Sequence, residues 1–207
     1  MPLLKKHPSP LWGIWKIEEK RKDLLHRLDK PEAYLPDLNR FQSETRKCEW
    51  LAVRVLLKEL TGSEWSVSYR DNGAPYLPGS AYRISISHTK GYAAVLLSPD
   101  KSAGIDIEYC SERIHRIKSR FLNHEELKWL GENPSTNQLL VCWSAKETVF
   151  KMMEQKAADF QNDIQVIDFN PLLNTGIVSV KAKITSGSPI FQLKYEITPD
   201  YVVTHSQ

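Results

Sequence analysis

The sequence predicts an α+β protein built from antiparallel strands and a small number of helices. Short apolar runs separated by turn residues indicate strands, most clearly over residues 82–109. Apolar residues at helical spacing indicate two longer helices, at residues 44–60 and 139–154. The order strand, helices, strands occurs once in each half of the 207 residues, which permits two similar lobes.

The first half of the chain is predicted to begin with one strand and two helices. After a proline-rich leader, in which no element is predicted, Leu11–Ile17 has the pattern of a strand and Glu18–Leu28 that of a charged helix. Ser43 is a suitable N-cap for a helix over Glu44–Leu60, and Gly62 is a suitable residue to end it. Two prolines separate these two helices.

The middle of the chain is predicted to form a three-stranded antiparallel meander. Its strands are Tyr82–Ser87, Tyr92–Leu97 and Ile105–Tyr109. The residues HTKG connect the first two strands, and SPDKSAG turns the chain into the third. We therefore expect these three strands to be neighbours in one sheet.

The second half is predicted to contain two helices followed by a group of strands. Ser111–Leu130 has the pattern of a helix with a basic start, and Leu139–Glu154 that of a second helix. The tail alternates like strands at Ile177–Ile184, Phe191–Ile197 and Tyr201–Thr204.

The composition is typical of a globular protein. Hydrophobic residues make up 41% of the chain, and the net charge of +3 is too small to suggest nucleic-acid binding by itself. No apolar run approaches the roughly 18 residues of a membrane span, and the N-terminal stretch lacks the pattern of a secretory signal. Because Cys48, Cys110 and Cys142 form no CxxC pair, the simplest expectation is a cytoplasmic protein with reduced thiols.

Two acidic residues occupy alternate positions of one predicted strand, in the sequence SAGIDIEYC. Asp106 and Glu108 share one face of that strand, and Ile105 and Ile107 share the other. The isoleucines can enter the core, so the two carboxylates must face water, a cation or a positive partner. A hard divalent ion such as Mg²⁺ would neutralise them, while a solvated strand face is an equally acceptable interpretation of this stretch alone.

A third acidic residue lies in the sequence CWSAKETVFKM. Glu147 and Lys151 are four residues apart on one face of a predicted helix, beside Lys146, which suits a metal and phosphate site. The competing interpretation is a capping box, in which Ser144 and Glu147 satisfy backbone N–H groups at the helix start. The pair of Glu147 and Lys151 would then be an ordinary surface ion pair.

Further polar residues suit anion or partner binding. Ser87 and His88 end a strand at a tight hairpin, and Arg46 lies in the first turns of a predicted helix, although an ordinary turn and a solvated arginine explain them as well. A basic run interrupted by isoleucines would suit docking of an acidic protein, or it is simply a solvated helix face. The residues of that run are Arg113, Ile114, Arg116, Ile117, Lys118 and Arg120.

The order of three motifs is more informative than each one alone. SISHTKG, GIDIE and WSAKETVFK resemble the signature motifs of the 4′-phosphopantetheinyl transferases, and RFQSETR…WLAVRVLL upstream resembles the single-chain, two-lobed, surfactin-synthetase-activating type. This resemblance implies two similar lobes, residues 1–101 and 102–207, each a small antiparallel sheet with helices on one face. It also implies a pseudo-twofold relation between the lobes, an active site at their interface, and a monomer.

The resemblance further implies the reaction and the roles of the residues. The 4′-phosphopantetheine group of coenzyme A would be transferred to a serine of an acyl or peptidyl carrier protein, with Mg²⁺ or Mn²⁺ as the metal and adenosine 3′,5′-bisphosphate released. The matching positions are Asp106, Glu108 and Glu147 for the metal, Glu147 and Lys151 for catalysis, Arg46, Ser87, His88, Asp106, Lys146 and Lys151 for coenzyme A, and Arg113, Ile117 and Arg120 for docking of the carrier.

One position departs from the family pattern. Ala74 stands where the family usually has a lysine that contacts phosphate, so the expectation is either weaker binding of coenzyme A or replacement of that cation by Arg70 or Arg83. Adenine is expected over the turn at residues 72–76. Two other functions use similar residues: a metal-dependent phosphodiesterase or nuclease, and a non-enzymatic module that binds an acidic partner through the basic run. The second leaves the three acidic residues unexplained.

Overall fold

The protein, described by a computed structural model, has the predicted α+β fold with antiparallel sheets. The structure describes residues 2–99, 102–153, 157–170, 172–183 and 187–207. The strands are β1 (Leu3–Pro8), β2 (Leu11–Lys16), β3 (Ser68–Tyr69), β4 (Pro75–Tyr76), β5 (Arg83–Thr89), β6 (Tyr92–Ser98), β7 (Ile105–Tyr109), β8 (Ile164–Asp168), β9 (Thr175–Ala182), β10 (Ile190–Ile197) and β11 (Tyr201–Ser206). The α-helices are α1 (Arg21–Leu25), α2 (Leu35–Leu38), α3 (Glu44–Thr61), α4 (Ile114–Ile117), α5 (His124–Leu130) and α6 (Thr136–Met153).

The larger strands form two sheets. The first has the order β1-β2-β6-β5 and the second the order β7-β11-β10-β9-β8, while β3 and β4 form a separate two-stranded ribbon. Helix α3 packs on the first sheet through β2 and β6, and α6 packs on the second through β7 and β11. The predicted boundary between residues 101 and 102 borders residues 100 and 101, which lie outside the described residues.

Helix α3 begins and ends as its sequence predicts. The Ser43 hydroxyl accepts a hydrogen bond from the backbone N–H of Arg46 at 3.4 Å, which caps the first turn. Gly62 adopts the left-handed conformation, with φ at 75°, and its N–H donates to Lys58 O at 2.7 Å. The helix buries a dense row of aliphatic side chains against the first sheet, so Arg46 near its start is held on a rigid element.

The two sheets meet through an apolar cluster that includes the isoleucines of β7. Ile105 and Ile107 are fully buried among Trp12, Ile14 and Val203. Burial of each isoleucine stabilises the fold by roughly 1.5–3 kcal/mol. This confirms that the isoleucines anchor β7 in the core, and it leaves the alternate face of the strand for Asp106 and Glu108.

The predicted meander is wrong in its third strand. Strands β5 and β6 pair as expected, but β7 pairs with β11, with Asp106 opposite Thr204. The backbone N–H of Ile105 and that of Tyr109 instead donate to the hydroxyls of Ser85 and Thr89 of β5, at 3.0 and 3.1 Å. Strand alternation identifies a strand but not its partner, and here side chains satisfy the edge that a neighbouring strand would have covered.

The helix that follows β7 is shorter than predicted. The segment Ser111–Leu130 divides into α4, a 3-10 turn at Lys118–Arg120, and α5. Asn123 begins α5 with a capping box, its side chain accepting from Glu126 N while Glu126 accepts from Asn123 N. Such a cap starts a new helix, which explains the break.

The competing interpretation of Ser144 as part of a capping box is also wrong. Helix α6 begins at Thr136, and Ser135 and Gln138 form the reciprocal cap, so Ser144 lies in the middle of the helix. Its hydroxyl is buried and donates to Asp106 O at 3.2 Å. Glu147 is therefore free to serve the cavity described below. The predicted end of this helix, Glu154, lies outside the described residues.

The ends of the chain contain two strands that the sequence does not predict. The proline-rich leader forms β1, an edge strand whose lysines and proline conceal its alternation. The short edge strand β8 was likewise missed. The predicted helix Glu18–Leu28 contracts to α1, and the three tail strands are confirmed with shifted ends; Ile184, the predicted end of the first, lies outside the described residues.

The structure also bears on the cysteines and on the membrane-span prediction. Cys48, Cys110 and Cys142 are all free thiols in the part of the chain that the structure describes. Within the described ranges, none of the helices combines the length and the apolar character needed to cross a membrane.

Candidate active site

One cavity collects most of the residues singled out from the sequence. It has a volume of about 470 Å³ and lies between α3, β5, β7, α6 and the turn before β4. Its walls include Arg46, Ser87, His88, Asp106, Glu108, Glu147, Phe150 and Lys151, together with Arg54, Asn72, Gly73, Ala74, Pro75 and Arg83. Because α3 and β5 precede residue 100 while β7 and α6 follow it, both halves of the chain form the walls.

Asp106 is at the centre of a buried polar network. The Ser87 hydroxyl and the Lys151 ammonium both donate to Asp106 Oδ1, each at 2.8 Å, and Lys151 also donates to Ile105 O at 3.1 Å. The second carboxylate oxygen, Oδ2, is buried and has no hydrogen-bond partner in the structure. A buried anionic oxygen without a donor is costly, so this atom requires a cation or a donor from a ligand.

The two glutamates beside Asp106 have strongly perturbed proton affinities. Burial and the Asp106 carboxylate raise the pKa of Glu108 to about 7, against the lowering effect of a hydrogen bond from Trp143. That indole N–H donates to Glu108 Oε1 at 2.7 Å. Burial and Asp106 likewise raise the pKa of Glu147 to about 7, opposed by Lys151. Burial and the neighbouring Asp106 carboxylate thus disfavour the charged forms of both glutamates.

These three carboxylates are the residues that could hold a divalent cation. Carboxylate oxygens are the ligands that Mg²⁺ prefers, and the orphaned Asp106 Oδ2 and the raised pKa values of Glu108 and Glu147 both fit a missing positive charge. Across the described residues, no group of three or more His, Cys, Asp or Glu side chains is arranged closely enough to hold a metal ion. Metal binding therefore stays a prediction.

Lys146, predicted as a coenzyme A contact, is absent from the walls of the cavity. Its side chain is fully buried on the other side of α6, and its ammonium donates to Glu126 at 2.8 Å, to Phe121 O at 2.6 Å and to Phe160 O at 2.7 Å. An ammonium has three N–H donors, and all three are used. The structure thus gives Lys146 a place in the core between α6 and α5, with no donor left for a ligand.

Arg46 and His88 meet at the other end of the cavity. An Arg46 Nη1 contact with the imidazole joins α3 to the end of β5. Glu49 lies behind them, 3.3 Å from Arg46 Nη1 and 3.4 Å from His88 Nδ1. Burial and the Arg46 guanidinium lower the pKa of His88. The arrangement presents one fixed cation and one titratable donor to the cavity.

The turn that contains Ala74 lines the cavity as expected. Of the two arginines expected to replace the missing lysine, only one is part of the cavity wall. Arg83 is part of the cavity wall, whereas Arg70 lies over the ring of Tyr76, 5.0 Å from its centroid, and is not part of the wall. A third arginine, Arg54, is 5% exposed and lies 3.6 Å from the ring centroid of Trp50. Arg54 was missed because its position in an apolar helical stretch gave no sign that it faces a cavity.

The residues predicted to dock a carrier lie on the surface. Arg113, Arg116 and Arg120 are exposed, and Ile117 is half-buried against the core beneath them. The segment thus offers a basic face with apolar edges. Docking of a carrier at this face stays a prediction.

Two contacts at the site were missed from the sequence. Trp143 belongs to the motif WSAKETVFK, but only the fold shows that its indole N–H donates to Glu108. Glu49 resembled any other acidic residue on a charged helix start. Its position three residues after Arg46 on α3 is the one signal that could have identified it.

Comparison with known proteins adds the family. Residues 102–204, just under half of the chain, match the model of the 4′-phosphopantetheinyl transferase superfamily (ACPS). A search of curated proteins found no match to the chain. The matched segment includes β7 with Asp106 and Glu108, and α6 with Glu147 and Lys151. In its second half the chain is thus similar to the 4′-phosphopantetheinyl transferase superfamily.

Proposed function

We propose that the chain transfers the 4′-phosphopantetheine group from coenzyme A to a serine of an acyl or peptidyl carrier protein, and releases adenosine 3′,5′-bisphosphate. The observation that carries the proposal is the single cavity in which Asp106, Glu108 and Glu147 meet Lys151 and His88. The superfamily match supports phosphopantetheine transfer in general. Such a reaction needs positioning and charge neutralisation more than covalent help from the protein.

A divalent cation, Mg²⁺ or Mn²⁺, would be held by Asp106, Glu108 and Glu147. When bound, it would neutralise charge on the diphosphate of coenzyme A. It would also neutralise the carboxylates, since burial and the Asp106 carboxylate raise the pKa of Glu108 and Glu147.

Side chains of the protein would accept the proton of the carrier serine and neutralise the charge of the phosphates. Glu147, with a pKa of about 7, is suited to accept the proton of the carrier serine hydroxyl near neutral pH. The serine oxygen forms a bond to the phosphorus of the phosphopantetheine phosphate. The bond from that phosphorus to the bridging oxygen breaks, and the bridging oxygen leaves with the electron pair as part of adenosine 3′,5′-bisphosphate. Lys151 neutralises the developing charge.

The remaining walls of the cavity fit the rest of coenzyme A. Adenine would lie over the turn at residues 72–76, and Arg54 and Arg83 supply the positive charge that Ala74 lacks. We also propose that residues 1–101 and 102–207 act as two similar lobes of a monomer, with the cavity at their interface. The basic face at Arg113, Ile117 and Arg120 would dock the acidic carrier.

Mass spectrometry of a carrier protein tests the function directly. Apo carrier incubated with coenzyme A, Mg²⁺ and the protein should gain the mass of one phosphopantetheine group. Asp106→Ala and Glu147→Ala should abolish the gain while circular dichroism shows an intact fold, and Glu59→Ala, at an exposed position of α3, should transfer normally.

Other outcomes would replace the proposal. If several carriers stay unmodified and the protein cleaves DNA or a phosphodiester in the presence of Mg²⁺, the acidic cluster serves a metal-dependent nuclease instead. If neither reaction occurs and the basic face binds an acidic protein, a non-enzymatic module is the better interpretation.

A further inference from the structure

Glu49 contacts two residues of the cavity wall without being part of the wall itself. Its Oε2 atom lies 3.3 Å from Arg46 Nη1 and 3.4 Å from His88 Nδ1. The Glu49 side chain is only 15% exposed, whereas that of Arg46 is 41% exposed. The carboxylate therefore sits on the protein side of both groups, and the guanidinium and imidazole separate it from the ligand space.

The substrate chemistry indicates what Arg46 and His88 face. Coenzyme A carries a diphosphate and one separate phosphomonoester on its ribose. The diphosphate belongs beside the carboxylates and Lys151, where a divalent cation held by the carboxylates would neutralise its charge. Arg46 and His88 are in hydrogen-bond contact with none of those carboxylates in the described residues, so they suit the phosphomonoester.

We infer that Glu49 is a positioning residue for recognition of the phosphomonoester: together with the His88 imidazole it fixes the Arg46 guanidinium, whose remaining N–H donors then face the ribose phosphate of coenzyme A. This inference rests on the function proposed above. It goes beyond it by assigning selectivity for the phosphorylated ribose to a residue that the ligand does not touch.

Two physical effects support this role. A free arginine side chain loses rotamer entropy when it binds, and a carboxylate that already orders it removes part of that cost. A carboxylate that accepts from Nδ1–H also fixes the tautomer and the ring plane of a histidine, which directs Nε2 to the opposite side. Arg46 Nη1 contacts that Nε2 atom, so the imidazole accepts from the guanidinium and holds it in place.

An ordinary surface ion pair would not have these features. Exposed pairs three residues apart on a helix contribute a few tenths of a kcal/mol, and the two side chains are both solvated. Glu49 is mostly buried, and it joins α3 to β5 through partners on two different elements. The Phe41 ring, 5.8 Å from the Arg46 guanidinium, further restricts that arginine.

Calorimetric binding of two ligands tests the inference. Coenzyme A and dephospho-coenzyme A differ only in the ribose phosphate, so the ratio of their dissociation constants measures recognition of that group. Glu49→Ala should weaken coenzyme A binding about tenfold and leave dephospho-coenzyme A within about twofold. Glu49→Gln, which keeps an acceptor oxygen, should recover most of the loss, and the control Glu59→Ala should change neither constant.

The results separate this inference from the proposed function. An equal loss for both ligands, or no loss for coenzyme A, would overturn the role of Glu49 while carrier modification by the unmutated protein still stands. If the unmutated protein binds neither ligand and modifies no carrier, the proposed function is overturned, and the role of Glu49 with it.

Discussion

Asp106 carries two unlike oxygen atoms on one side chain. Oδ1 accepts from both Ser87 and Lys151, whereas Oδ2 is buried without a donor. Fixing one oxygen by two hydrogen bonds orients the carboxylate and leaves the other for a ligand, which is the geometry that a preorganised site requires. Lys151 therefore balances the charge of Asp106 while no metal is bound.

Binding of Mg²⁺ should depend on pH in a defined direction. Because burial raises the pKa of Glu108 and Glu147 to about 7, protons compete with the metal below that value. Calorimetry should show tight binding at about pH 8 and weaker binding, by about tenfold or more, at about pH 6. A pH-independent dissociation constant over this range would contradict the assignment of these glutamates as ligands.

The same carboxyl groups should make stability depend on pH without metal. Their pKa values are raised from 4.5 to about 7 in the folded protein, so between these values the folded state holds protons that the unfolded chain releases. The free energy of unfolding in EDTA should thus fall as pH rises through this window, by up to about 1.4 kcal/mol per pH unit for each group.

Urea denaturation of the unmutated protein and of Glu147→Gln isolates this contribution. The difference in unfolding free energy between the two should grow in favour of the variant as pH rises from about 5 to about 7.5. Histidines whose pKa is lowered, such as His205, act in the opposite direction and cancel in the difference. A constant difference would show that Glu147 titrates normally.

At the scale of elements, α6 is held by a buried ion pair that lies outside the cavity. Lys146 and Glu126 are both fully buried, and Glu126 also accepts from the backbone N–H of Asn123 and of Val166. One ion pair thus joins α6, the start of α5 and β8. This attachment sets the position of α6, and with it the adjacent Glu147.

Removing Lys146 should destabilise the protein strongly. Lys146→Met leaves Glu126 buried and unpaired, so the unfolding free energy should fall by about 3–5 kcal/mol in urea denaturation. The double variant Lys146→Met/Glu126→Gln should recover part of that loss, because the uncompensated charge is gone. Exposed Lys128 offers a matched control, and Lys128→Ala should change the value by less than about 0.5 kcal/mol.

Gly104 should be sensitive to the addition of one methyl group. A Cβ there would lie 2.5 Å from Met152 Cγ and 2.8 Å from Thr148 O, so β7 and α6 approach too closely for any side chain. Gly104→Ala should cost about 1–3 kcal/mol and weaken Mg²⁺ binding, because it separates Asp106 from Glu147. Exposed Ser102 is the control, and an unchanged stability of Gly104→Ala would show that the helix yields without strain.

These elements also show how far the sequence could predict the fold and the site. The bounds of α3 and β7 followed from caps and alternation, because those signals are local. The partner of β7 and the burial of Lys146 depended on residues 20 to about 100 positions away. The site residues were identified mainly by the order of three motifs, and Glu49 and Arg54 were missed because only their three-dimensional neighbours distinguish them.

At the scale of the whole molecule, the cavity depends on both halves of the chain. Residues 102–204 match the superfamily model, yet Arg46, Ser87 and His88 come from the segment before them. The apolar cluster around Ile105 and Ile107 joins the two sheets. The three carboxylates and the Arg46 and His88 side chains therefore share one cavity only while this cluster is intact.

Carrier docking should depend on the basic face rather than on the cavity. Reversing the charges of Arg113, Arg116 and Arg120 to glutamate should raise the KM for the carrier by about tenfold and leave the KM for coenzyme A unchanged, because these side chains are exposed and outside the cavity wall. Added salt should weaken carrier binding to the unmutated protein in the same direction. An equal rise of both KM values would contradict docking at this face.

The contact between β5 and β7 helps to set the width of the cavity. A direct strand ladder would space the two backbones at about 4.8 Å and close the gap between them. Here the hydroxyls of Ser85 and Thr89 stand between the backbones, so the length of a side chain sets the separation. Serine and threonine at these two positions act as spacers, and exchanging them for longer or shorter residues would change the width of the gap.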